Sequence, residues 1–403
     1  MSGDREDDVV VTGLGFVTPL GTGADAVWQA WKSGESGVRT LVAGDSRLAP
    51  GVDPSALPNV ERAAFVRGFV PRDHIRQGHL RRMDWVSRML VAAARQAYQD
   101  AGYDELGEDE LARAAIVVGS QFGNQRETAR YTGRVFEDGL NAGSPLLFPN
   151  LVLNASAGYA AIELGFSGPN LTVSEHEASG EAALAAAFDL FRSDACDLAI
   201  VGGSDEFGEV YLQALADRRL LHPAVGFRKE SLRRSGWVIP AEAAVALVLE
   251  RRDRARRRGS RVYAVVEEAV AVGSDALPYD LPSPASAARV LRRFVLPRGK
   301  VDVYVGVADG GRPRKAIDLA CLESLAEGQG APVRYQSFRE QTGETGSIGL
   351  LGVGLAALTL RQGELPGREA TSEPVDRIAS LGAARSGALV PVCLRRAGAV
   401  LAS

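Results

Sequence analysis

Three cysteines in 403 residues, Cys196, Cys321 and Cys393, are too few and too scattered for a disulfide framework, and no CxxC pair exists to hold a metal or run redox chemistry. Each sits in apolar surroundings, at the start of a strand, inside a helix and in the last strand, so all three read as core thiols. Histidine is nearly as scarce. His74, His79, His176 and His222 are the only four, and none lies beyond position 222. No histidine cluster has metal-ligand spacing. Charge of one sign is also missing: 46 Lys and Arg stand against 50 Asp and Glu, a net charge of −4. That balance gives no electrostatic footprint for nucleic acid. No apolar run reaches the ~18 residues of a membrane span. The opening MSGDREDD is acidic, the reverse of a secretory leader, and a cytoplasmic protein is expected.

What is present is ample apolar sequence, 46% of residues, enough for one large fold. Val9–Thr12 reads as a buried strand followed by a Gly13-Leu14-Gly15 turn. Thr18 stands where a dinucleotide loop needs its third glycine, which argues against a nucleotide site. Helices are expected over Ala24–Lys32, Met83–Ala101 and Glu181–Arg192. Strands are expected at Ala115–Val118, Leu171–Ser174, Leu198–Val201, Ala243–Leu249 and Val301–Val307. Strands alternating with helices predict an α/β fold with covered sheets. The strand ending at Ala308-Asp309-Gly310 echoes the opening of the chain, which suggests a duplication with halves 1–258 and 259–403. The basic run Arg251–Arg258 reads as a solvated helix face or as a docking patch for an acidic partner.

Five segments in order, VVVTGLGFVTPLG, MDWVSRMLVAAARQAYQDAG, ELGFSGPNLTVSEHEASGEAALAAA, DLAIVGGSDE and SGWVIPAEAAVALVLERRD, resemble β-ketoacyl synthases. The resemblance implies a thiolase-like five-layered αβαβα fold from two duplicated halves. It also implies a dimer paired through the strand near Leu171–Ser174. A ketosynthase uses a cysteine thiolate to accept an acyl chain, and two histidines to assist decarboxylation and steady the enolate. Counting from Gly168-Pro169-Asn170, the cysteine position is Glu177. The first histidine position falls at Asp309 or Ala308. The second falls at Glu344, with Arg339 near the place of the family's lysine. PAEAA replaces the family's glycine-rich GEGAG.

This pattern of loss resembles the chain-length factors of type II polyketide synthases, whose turn Val307-Ala308-Asp309-Gly310, with Pro313 and Asp318, is similar. Glutamine is usual in that family where Glu177 stands here, so Glu177 reads equally as a helix-start carboxylate held by the macrodipole. The resemblance implies a subunit inactive alone, paired with an active ketosynthase. The pair would shape a tunnel for a polyketide carried on an acyl carrier protein, whose phosphopantetheine is the one prosthetic group. No cofactor, metal, nucleic acid or membrane partner is expected. A starter-loading malonyl decarboxylase and a structural pseudo-ketosynthase are the alternatives. Carrying over the gating positions around Gln125-Arg126-Glu127 gives Gln121, Asn124 and Thr128, on one face if the segment is helical, or a plain surface face. The interface is expected at Leu146, Leu147 and Phe148, which could instead pack in the core, and at Leu171, Thr172, Val173 and Ser174.

Overall fold

The computed structural model of the protein describes residues 5–39, 62–206, 208–218, 220–221, 238–277, 279–308, 311–366 and 374–398. Among the described residues the main sheet has twelve strands, ten of them in one continuous path: β1 Val9–Thr18, β2 Ala114–Gly119, β3 Asn170–Val173, β4 Leu198–Asp205, β5 Ala243–Arg251, β6 Ala264–Ala269, β7 Val303–Val305, β8 Arg334–Gln336, β9 Arg377–Ala383 and β10 Ala388–Arg395. The helices that matter are α1 Ala24–Lys32, α2 Trp85–Asp100, α3 Gln125–Asp138, α4 Ala155–Leu164, α5 Ser179–Arg192, α6 Glu209–Asp217, α7 Pro284–Val295, α8 Arg312–Gln329 and α9 Ile348–Gln362.

The first five strands lie in the order β3-β2-β4-β5-β1, and the last five in the order β8-β7-β9-β10-β6. The two orders are the same order. Their pairings also repeat: β2 is parallel to β3 and β4, as β7 is to β8 and β9, and the remaining neighbours are antiparallel. The halves join where β1 pairs antiparallel with β6, Val9 opposite Val266 and Val11 opposite Ala264. The repeat therefore changes over between β5 and β6.

Three apolar cores stack around these sheets. Met89, Leu90 and Ala93 of α2 pack on Ile116, Ile200 and Val248, on the outer face of the first half. Leu184 of α5 and Leu351 and Leu355 of α9 fill the space between the halves, against Val201, Val305 and Val392. Leu291 of α7 and Ile317 of α8 cover the outer face of the second half, against Tyr304 and Leu389. Helix, sheet, helix, sheet, helix is the expected five-layered arrangement. α9 carries apolar side chains all round because it is sandwiched: Ile348 to Leu360 are buried without interruption.

The opening segment corrects one expectation. Gly13 and Gly15 make no turn; β1 continues through them to Thr18, with a shift of register against β5 between Val11 and Gly13. Their role is close approach. A Cβ on Gly13 would meet the Ala97 carbonyl oxygen at 2.0 Å, and one on Gly15 would meet that of Ala93 at 1.9 Å. Glycine at these two positions lets α2 lie directly on the strand.

The basic run divides: Arg256 and Arg257 form the expected exposed face, while other arginines turn inward. Arg251 pairs with Asp194, Arg254 with Tyr103 and Glu110, and Arg258 with Glu250 while stacking on the Tyr103 ring. These arginines bind the short helix Arg252–Arg257 to the body. The three cysteines are buried as expected, and burial pushes the Cys196 and Cys321 thiols up to about 12.

Candidate functional site

α/β sheets place their sites beyond the carboxyl ends of parallel strands, and the turns after β3 and β9, one from each half, meet at Glu177 and Arg385. After β3 the chain makes a short turn, His176–Ala178, before entering α5. His176 sits there at φ +46°, a left-handed conformation that is costly for a residue with a Cβ. Ser179 secures the turn: its Oγ donates to the His176 carbonyl at 2.7 Å and accepts the Glu175 N–H at 3.0 Å. The turn presents Glu177 at its tip, and Glu177 is buried.

Glu177 belongs to an alternating row of three carboxylates and three guanidiniums. Arg385, from the turn between β9 and β10, donates its backbone N–H to one Glu177 oxygen at 3.0 Å and its guanidinium to the other. Arg314, in the first turn of α8, lies 3.5 Å from the same Glu177 oxygen and also donates to Glu344. Arg339 lies 3.8 Å from Glu344 on one side and 3.8 Å from Glu181 on the other. Only Arg385 reaches solvent appreciably; the side chains of Arg314 and Arg339 are 1% and 2% exposed. Burial pushes the Glu177 carboxyl up, but Arg314 and Arg385 overcome it and hold the group at about 2. Glu181 ends on the other side: burial outweighs the Arg339 charge and raises it. Space for Glu181 comes from Gly349, where a Cβ would meet its carboxylate at 1.9 Å.

The structure thus brings together Glu177 and Glu344. Asp309 lies outside the described residues. Its neighbour Ala308 is buried, and the Val307 and Ala308 N–H groups donate to Asp318 at 2.9 and 2.8 Å, which pins the strand end. Arg314, Arg385 and Glu181 were not singled out in the sequence. The one signal for Arg385 is a lone arginine in the small-residue turn LGAARSG, between two apolar strands.

A cavity of about 1340 Å³ opens onto Glu177 and Arg385. Gln121, Gln125, Thr128 and Thr132 line it from the α3 side, Val210, Tyr211 and Leu215 from α6, and Leu281 and Pro282 from the segment before α7. Of the expected gating residues, Gln121 and Thr128 face this space. Asn124 does not, because α3 begins only at Gln125 and Asn124 caps it: its Oδ1 accepts the Glu127 N–H at 3.1 Å. Asn124 instead lines a second pocket of about 250 Å³, with Asp84, Arg126, Leu147 and Glu206.

The expected interface residues lie at the surface. Leu146 and Phe148 are 59% and 60% exposed, so they are not core residues, while Leu147 is half-buried. β3 is an edge strand, and among the described residues nothing pairs with its outer side. Leu171 is exposed on it, and Thr172 and Val173 are half-buried. Ser174 lies just past the strand, its Oγ donating to the Gln121 carbonyl at 3.4 Å. Phe136, Leu140, Val152 and Ile162 are also exposed.

Residues 6–255 match the family described as β-ketoacyl synthase, N-terminal domain. The chain belongs to the β-ketoacyl synthase family. It is 25% identical over 382 residues to 3-oxoacyl acyl-carrier-protein synthase 2 of Vibrio cholerae, covering 93% of this chain and 86% of that protein. It is 28% identical over 272 residues to the mitochondrial 3-oxoacyl acyl-carrier-protein synthase of Arabidopsis thaliana, covering 64% of this chain and 59% of the plant protein. Among solved structures, the ishigamide ketosynthase/chain length factor superposes with a TM-score of 0.83 at 24% identity, covering 98% of this chain and 100% of that one. The ketosynthase AntDE, solved with its type II polyketide synthase acyl-carrier protein AntF, superposes with a TM-score of 0.80 at 18% identity, covering 98% and 100%. This synthase-family chain has the thiolase-like ketosynthase fold. No helix of the described residues is long and apolar enough to cross a membrane.

Proposed function

We propose that this chain is a non-catalytic chain-length-factor subunit. It pairs with an active ketosynthase and forms part of the tunnel for a polyketide held on an acyl carrier protein. The observation that carries the reading is the ion-paired state of Glu177. A carboxylate bound to Arg314 and Arg385 has no proton to give and no free electron pair aimed at a thioester. It holds no acyl chain. A starter-loading decarboxylase needs a donor towards the developing enolate oxygen, and an ionised Glu177 repels that charge. The cavity beside it has the volume and the apolar lining of an acyl site. The likeness in fold to a ketosynthase/chain length factor agrees with the assignment.

The free edge of β3 and the exposed Leu146 and Phe148 supply a surface for the partner. A stable pairing of this kind buries over ~2,000 Å². The test is co-expression with a cysteine-bearing ketosynthase, followed by size-exclusion chromatography and a condensation assay with malonyl carrier protein. A heterodimer should form, and condensation should depend on the partner's cysteine. The chain alone, including a Glu177→Cys variant, should show no turnover. Condensation by Glu177→Cys without a partner would refute the reading.

A further inference from the structure

The wall that α3 gives to the cavity is polar in an ordered way. Gln125 and Thr132 both line the cavity, and seven residues of helix separate them, two turns or about 10.5 Å. Gln121 extends the stripe beyond the start of the helix. Among the described residues, none of these three side chains has a hydrogen-bond partner. Thr128 lies in the same stripe but spends its proton on the Asn124 carbonyl, at 2.7 Å, and is left as an acceptor. Val210, Leu215, Leu281 and Pro282 on the other walls carry no side-chain polar group. Among the other polar residues that line the cavity, Glu177 and Arg385 are committed to each other and Ser283 to Asp275 at 2.6 Å, while His176, Tyr211, Arg218, Tyr279 and Asp280 also line it.

We infer that this stripe reads the oxidation level of the bound chain, favouring an acyl chain that keeps carbonyl groups over a reduced one. This rests on the cavity being the acyl tunnel proposed above. An acyl chain built from two-carbon units and left unreduced carries a carbonyl acceptor on every second carbon. One edge of such a chain offers oxygens repeatedly along its length, and a row of amide and hydroxyl donors along a helix matches that edge. A saturated chain offers none. Its entry strips water from Gln121, Gln125 and Thr132 and returns no hydrogen bond, which penalises the complex. No residue of α3 is buried in this chain, so the donors stay wet until something covers the helix. The selection is therefore strongest in the assembled complex.

The probes are two pantetheine amides of equal chain length, one 3,5-dioxo and one saturated. Their affinities are measured by isothermal titration calorimetry on the heterodimer with its ketosynthase and on a heterodimer carrying Gln125→Leu with Thr132→Val. Expected is about tenfold tighter binding of the dioxo probe to the wild-type heterodimer, the worth of one to two net hydrogen bonds. In the double variant the ratio of the two affinities should fall towards one. Equal affinities on the wild type would overturn the inference and leave the tunnel reading standing. Failure of both probes to bind would overturn both. The wild-type comparison decides the matter even where the double variant does not assemble.

Discussion

Arg385 holds Glu177 at both carboxylate oxygens, its backbone N–H on one at 3.0 Å and its guanidinium on the other. Arg385 sits in the turn between β9 and β10, and its carbonyl accepts the Tyr279 N–H at 3.2 Å. Tyr279 lines the cavity. Glu177 is thus tied, through one arginine, to the backbone of the cavity wall.

Glu177→Gln should therefore destabilise the chain. The amide keeps the shape but leaves Arg385 and one side of Arg314 without a counter-charge in a buried setting. Breaking a buried pair in this way costs about 3 kcal/mol. Urea denaturation followed by circular dichroism would read it as a lower midpoint at unchanged slope. An unchanged midpoint would show the pair to be energetically idle.

The second buried acid group gives a pH dependence of a particular sign. Burial pushes Glu206 up to about 8, against Arg126 and with help from Glu242 and Asp84. Burial likewise pushes Glu242 up to about 7, against bonds from the Val66 N–H and Trp85. In the unfolded chain both titrate near 4.3. Between that value and the folded ones the native state holds more protons, so stability falls as pH rises from about 5 to 8. Glu177 acts with the opposite sign, stabilising above about pH 4.3 and ceasing to do so as pH falls towards 2. Melting temperatures at pH 5.5 and 8 should show the decline, and Glu206→Gln should flatten it. A slope that is the same in Glu206→Gln would remove this residue as its source.

Thr128 faces the cavity from an exposed helix, so a larger side chain there projects into open space rather than into a packed core. Thr128→Phe should shorten the polyketide made by the heterodimer without preventing its assembly. It also removes the bond to the Asn124 carbonyl, a minor loss beside the ~1–3 kcal/mol that overpacking a filled core costs. Mass spectrometry of the products, with chromatography to confirm the complex, is the measurement. An unchanged length distribution from an assembled complex would exclude Thr128 from the gate.

A carboxylate placed on the exposed apolar region should block pairing and leave the fold alone. Phe148→Asp changes an exposed side chain whose ring lies beside that of Tyr131, centroids 6.1 Å apart. Buried against a partner it would be an unpaired charge. Chromatography with the ketosynthase should show separate chains, while the melting temperature of the isolated chain stays within about 2 °C, as for a surface substitution. Co-elution at micromolar concentration would move the interface elsewhere.

Much of this protein was written in the order of its residues. Local patterns of apolar residues placed the strands at Ala115–Val118 and Ala243–Leu249 and the helix Ala24–Lys32, because period and turn residues are properties of short stretches. The absence of histidine beyond position 222 is equally a fact of sequence, which no folding can change. The glycines at 13 and 15 were legible only as a turn, since their real constraint comes from Ala93 and Ala97, some eighty residues on. Asn124 could not be separated from Gln121 and Thr128 until the start of α3 fixed which residue caps it. Above all, the tertiary structure alone decided the state of Glu177. Its partners Arg314 and Arg385 lie far away in the second half of the chain, and a carboxyl group's charge is set by what surrounds it when buried. The sequence determined that a glutamate stands at position 177; the packing of the two halves decided that it joins an ion-paired row of charges.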